Sequence, residues 1–152
     1  MIGFLIPTRI FAQSDQYQFL HINTDNGLSH NRINAILKDA RGFMWFGTGS
    51  GLNRYDGYEF RLFRHDRKDS TTLADDYITK IMEGPDNKLW IETRNGLNIF
   101  DPVTEKFDRN PKAYFRRLSI PDGVITGIHK DRMGNFWLIH PLYGLFRYSP
   151  AT

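Results

Sequence analysis

Apolar residues in this chain fall into short clusters separated by Gly, Asn, Asp and Pro, and the clusters recur with a fixed period. Trp45, Trp90 and Trp137 stand 45 and 47 residues apart. Twelve and nine residues before each Trp lie Ile33 and Ile36, Ile78 and Ile81, then Ile125 and Ile128. Three residues before it stands Gly42, Asn87 or Gly134, each tolerant of a left-handed turn. After it come the glycines Gly51, Gly96 and Gly144, each followed by Leu; the third copy is one residue longer here. Tyr55-Asp56-Gly57, Phe100-Asp101-Pro102 and Tyr148-Ser149-Pro150 close the pattern, and Phe60 and Phe107 mark a further segment in the first two copies.

Each repeat therefore predicts four short strands, at 32–38, 43–48, 52–56 and 58–64 in the first copy. The segments are β-branched and aromatic, bounded by turn residues, and too short for typical helices. Phe43-Met44-Trp45-Phe46 is apolar on both faces, as expected of a sheet covered on both sides. A four-stranded unit every ~45 residues is the period of a β-propeller blade. The fold class is all-β, an incomplete propeller of about three four-stranded antiparallel blades. Blade one is placed at 32–64, blade two at 77–109 and a partial blade three at 124–149, within a propeller region of 13–152. Tyr17 to Ile22 resembles Tyr58 to Phe63, so residues 16–22 are expected to be the outer strand of a blade whose other strands lie elsewhere.

Composition narrows the classes. With 24% charged residues and 40% hydrophobic ones, the chain is neither disordered nor membranous in bulk. A net charge of +3 falls well short of the clustered basic face of a nucleic-acid binder, so no nucleic-acid partner is expected. The absence of cysteine excludes disulfides, thiolate nucleophiles and Cys-ligated zinc. Residues 1–12, apolar with a small residue at the end, read as a signal-peptide remnant. Nothing after residue 12 approaches the ~20 apolar residues of a membrane-spanning helix.

Candidate chemistry is sparse. His21, His30, His65, His129 and His140 fall singly, with no metal-ligand spacing, and no cofactor or metal is expected. Gly47-Thr48-Gly49-Ser50-Gly51 leads into another strand rather than a helix, so it reads as a hairpin and not a phosphate loop. The Asp39–Gly42 and Asp131–Gly134 turns read as structure, the carboxylate accepting from turn amides. Basic residues gather at Arg61, Arg64, His65, Arg67 and Lys68, and again at Lys112, Arg116 and Arg117. The default for these is a solvated edge; the sharper reading is a surface for anionic sugars, with Tyr58, Tyr114 and Phe115 as stacking platforms. Propeller topology puts the loops between second and third strands on one face, which nominates Ser50, Arg94, Asn95, His140 and Tyr143 as ligand-facing. Trp45, Trp90 and Trp137, with Gly51, Gly96 and Gly144, are the structural anchors of the repeat.

The run Asn26-Gly27-Leu28-Ser29, the stretch Asp39 to Thr48 and Gly51-Leu52-Asn53-Arg54-Tyr55-Asp56-Gly57 resemble the two-component regulator propeller repeat of Bacteroides-type hybrid histidine kinases. Leu89 to Thr93 and Gly96 to Asp101 repeat it. Glu92, where the first copy has Gly47, and His140-Pro141-Leu142-Tyr143 depart from it. The resemblance implies a periplasmic sensor of many blades, coupled to kinase, receiver and DNA-binding modules and responsive to polysaccharide breakdown products. No stretch of these 152 residues reads as a kinase, so this stretch is expected to bind rather than to catalyse. Expected partners are an oligosaccharide, further blades, and a second copy in a homodimer. The competing readings are a propeller enzyme acting on glycans, a glycosidase or lyase, and a propeller that binds proteins alone.

Overall fold

The computed structural model describes residues 18–121 and 123–150, and these form three antiparallel sheets in chain order. Blade one comprises β1 (Ile33–Lys38), β2 (Met44–Thr48), β3 (Gly51–Tyr55) and β4 (Phe60–Phe63). Blade two comprises β5 (Ile78–Glu83), β6 (Leu89–Thr93), β7 (Gly96–Asp101) and β8 (Lys106–Asp108). Blade three has three strands, β9 (Gly127–Lys130), β10 (Phe136–His140) and β11 (Gly144–Tyr148). All neighbours in each sheet are sequence neighbours, a meander that short turns can close. The register repeats too: Leu37 faces Trp45 in blade one as Met82 faces Trp90 in blade two. The all-β, incomplete-propeller expectation holds.

The hydrophobic core lies between blades. Trp45, Leu52, Ile78, Ile91 and Phe100 fill the seam between blades one and two. Met82, Trp90, Ile99, Phe136 and Leu138 fill the seam between blades two and three. Trp45 and Trp90 are fully buried, whereas Trp137, on blade three, is only half-buried. At ~25 cal/mol per Å² and about 150–250 Å² per ring, each buried Trp contributes several kcal/mol.

Two turn designs carry the indoles. In blades one and three an Asp folds the loop before the Trp strand. Asp39 Oδ1 accepts from the amides of Arg41 and Phe43, both at 3.0 Å, and Oδ2 accepts from Trp45 Nε1 at 2.9 Å. Asp131 does the same for Met133, Asn135 and Trp137, and these bonds, the indole's first, hold its carboxyl down at about 2. Gly42 and Gly134 take the positive φ, 92° and 84°, that the turn requires. Blade two has Gly84 instead, and Trp90 lies so close to it that a Cβ there would sit 2.0 Å from Nε1. Among the described residues the buried Trp90 N–H has no well-placed acceptor, its polar neighbour being the Tyr114 hydroxyl.

On its other side Trp90 is packed by α1 (Lys112–Arg117), a helix inserted between blades two and three. Tyr114 and Phe115 are buried against Trp90, with ring centroids at 6.2 and 5.3 Å. They are core residues and not the stacking platforms expected of them; adjacent aromatics in one turn of helix can both be covered when the helix end abuts a blade. Burial raises the Tyr114 hydroxyl pKa above its ordinary value, and the hydroxyl donates to the Pro85 carbonyl at 2.8 Å. Residues 18–22 form no strand, and Phe19 is 98% exposed. Residues 16 and 17 of that expected outer strand, and the signal remnant at 1–12, lie outside the described residues. No helix among the described residues is long and apolar enough to cross a membrane.

Candidate functional site

A second repeat, not read from the sequence, fixes how each linker meets its blade. Leu28, Leu73 and Ile120 stand seventeen residues before the successive tryptophans, and all three are buried. The residue after each of the first two donates its backbone N–H to a buried Asn of the third strand: Ser29 to Asn53 Oδ1 at 3.0 Å, Ala74 to Asn98 Oδ1 at 2.9 Å. Each Asn amide group also donates back to the adjacent glycine carbonyl, Gly51 or Gly96. Thr48 and Thr93 complete the lock, their hydroxyls donating to the same carbonyls at 3.0 and 2.9 Å. Blade three has lost both halves together. Pro121 has no N–H to give, and Phe146 stands where Asn53 and Asn98 stood. His140 takes the threonine position.

This geometry decides the fate of the loop-face residues. Ser50 is half-buried, and its carbonyl accepts from Arg64 Nε at 3.0 Å. Arg94 is exposed and its guanidinium lies 3.8 Å from the Tyr77 ring centroid, a cation–π contact. Asn95 is exposed, with its side-chain amide donating to the Ala74 carbonyl at 3.3 Å. His140 is 3% exposed, so it does not face solvent; its Nδ1 accepts from the amides of Leu142 and Tyr143. That arrangement makes Nε2 the protonated nitrogen of the neutral ring. Tyr143 is exposed and packs on the His140 ring at 4.6 Å.

Of these five, Asn95 lines a cleft. It opens between blades two and three with a volume of about 330 Å³, within the range of small-molecule sites. Leu97, Phe115, Val124 and Ile125 form its apolar wall; Glu92, Asn95, Asn110 and Lys112 supply polar groups. Glu92 is its carboxylate, 3.7 Å from the Lys80 ammonium. Arg109 also borders the cleft, but its guanidinium is committed elsewhere, donating to the carbonyls of Asp66, Asp69 and Thr72 and to the Thr72 hydroxyl. It staples the linker between blades one and two to blade two.

The basic residues do not form one surface. Arg61 and Arg54 both pair with Glu105, Arg117 pairs with Asp86, and His65 turns inward to the Leu73 carbonyl. Tyr58 stands alone at 95% exposure. Among the described residues no group of three or more His, Cys, Asp or Glu side chains is placed to hold a metal.

Residues 27–50 match the family model of the two component regulator propeller. A histidine kinase of Formosa agariphila is 35% identical over 63 residues, 41% of this chain and 5% of that protein. The extracellular domain of a hybrid two component system from B. thetaiotaomicron superposes with a TM-score of 0.60 at 25% identity, over 84% of this chain and 18% of that one. The extracellular domain of a one component system of the same organism gives 0.54 at 24% identity, over 88% and 19%. The chain thus spans under a fifth of the structures it resembles.

Proposed function

We propose that this chain, whose residues 27–50 match the two component regulator propeller, is a ligand-binding segment of the periplasmic sensor of a hybrid two-component regulator, responsive to an oligosaccharide. The observation that carries this reading is the cleft between blades two and three. A saccharide presents hydroxyl groups that both donate and accept, together with apolar ring faces. Carboxylate, amide and ammonium groups match the first, and the accessible Leu97 and Val124 side chains suit the second. Binding is favoured over glycan cleavage by the carboxylate count. Hydrolysis of a glycoside uses two carboxylates flanking one bond. Glu92 is the single carboxylate among the described residues lining the cleft, and Lys80 engages it.

Calorimetric titration of the chain with a panel of neutral and acidic oligosaccharides tests the proposal. Saturable heat with at least one sugar is expected, reduced tenfold or more by Asn95→Ala or Lys112→Ala. A flat response to the whole panel, or binding that both substitutions leave intact, would count against the cleft as the site.

A further inference from the structure

The two seams are built from the same repeat, and they differ at one cross-strand pair. In blade one Ala35 faces Gly47, both of them small; in blade two the corresponding pair is Lys80 facing Glu92. The glycine is needed in the first seam. A Cβ on Gly47 would lie 2.5 Å from Ile78 Cγ2 and 3.3 Å from Ile81 Cδ1, the side chains that blade two sets against it. Ile125 and Ile128 occupy those places on blade three. Any side chain at position 92 must therefore hold blade three further off than blade two stands from blade one.

The second seam is more open at the two positions that follow the turn. Leu52 is wholly buried, while Leu97 is partly exposed and lines the cleft. Gly51 is buried and donates its N–H to the Asp76 carbonyl of the next linker at 2.8 Å. Gly96 is exposed, and among the described residues no backbone bond joins it to the linker entering blade three. Strand β5 packs against both β1 and β2, whereas β9 packs mainly on β5. Lys80 reaches across the gap to donate to the Thr126 carbonyl at 3.0 Å.

We propose that the Lys80–Glu92 pair is the wedge that holds the seam open and, with its carboxylate in the cleft wall, determines which ligand the cleft admits. The specificity part rests on the cleft being the binding site; the wedge part does not. The two are separated by measuring the unliganded full chain as well as the titrated one.

Lys80→Ala/Glu92→Gly transplants the small pair of blade one into blade two. In the unliganded protein it should slow amide hydrogen exchange at Gly96 and Leu97 tenfold or more, and a crystal structure should show the cleft closed and Leu97 buried. Glu92→Gln, equal in length, should leave exchange and cleft unchanged while shifting saccharide affinity at least fivefold. Should the double variant lose its fold by circular dichroism, Lys80→Ala/Glu92→Ala carries the same comparison with a partial closing. Unchanged exchange and an open cleft in these shortened variants would overturn the wedge, as would closing by Glu92→Gln. Closing in a protein whose wild type binds no sugar upholds the wedge and defeats the saccharide reading alone.

Discussion

Replacing Gly84 by Asp would restore to blade two the turn residue that blades one and three share, and it should destabilise the protein. A reader of the repeat alone would predict a gain. Trp90 Nε1 is buried without a well-placed acceptor, and satisfying such a group recovers about 1–3 kcal/mol. Gly84 has an ordinary extended backbone, φ −114° and ψ 175°, so Asp suffers no conformational penalty there. The steric demand reverses the sign. The new Cβ would stand 2.0 Å from Nε1, 2.3 Å from Cδ1 and 2.8 Å from Cε2 of the indole, so the ring must retreat by more than 1 Å. Behind it stand Tyr114 and Phe115, buried and in contact with it. Overpacking a filled core costs about 1–3 kcal/mol and more where the neighbours cannot move. The incoming carboxylate also adds a second acid two residues from Asp86. Because the displaced indole no longer presents Nε1 to the carboxylate, the gain is forfeited and a net loss of about 1–3 kcal/mol is expected, read as a lower midpoint in urea melts at unchanged slope. A midpoint equal to or above wild type would refute the claim that α1 pins the Trp90 indole against Gly84.

Other substitutions probe the remaining devices. Trp90→Ala should cost about 3–5 kcal/mol in the same melts, while Arg67→Ala on the exposed linker should stay within about 0.5 kcal/mol. Asn98→Leu removes the acceptor for the Ala74 amide inside the core and should cost about 1–3 kcal/mol; Phe146→Asn in blade three should give no gain, because Pro121 offers no N–H. Asp131 titrates at about 2 against an ordinary 3.8, so its contribution is present above pH ~4 and is lost as pH falls through 2. Carboxyl carbon NMR shifts of Asp131 should show that low midpoint, and a value near 3.8 would mean that the Trp137 and Asn135 bonds do not persist.

The strands were legible because their anchors are long-range repeats: Ile, Trp and Gly at constant offsets survive any uncertainty about local propensity. Strand ends in blade one fell within two residues of expectation, as at 32–38 against Ile33–Lys38, while blade three begins at Gly127 and not at 124. The helix α1 was not legible. Six residues are too few for a helical period to show, and Lys112, Arg116 and Arg117 made the segment look like surface while its two aromatics turned inward. The site was legible in fragments. Asn95 follows from topology, and Glu92 stands out as a break in the repeat. Lys80 becomes meaningful only once the register sets it opposite Glu92. His140 illustrates the converse: expected on the loop face, it stands at the register position of the buried Thr48 and Thr93 and is buried as they are.

That lock has a kinetic consequence. Ser29 meets Asn53, and Ala74 meets Asn98, across the same interval of 24 residues, so each blade ties its own leading linker to its own third strand. Closing a loop of that length is quick and entropically cheap compared with pairing distant segments. Blades one and two can therefore each set their register before the neighbouring blade has formed, and the array grows by docking of prepared units. Blade three has no such tie. Its arrangement must wait for the surface of blade two, and when the molecule breathes its amides should be the first to exchange. Within the described residues blade three leans on blade two where the others are tied to their own linkers, and a disturbance can begin there.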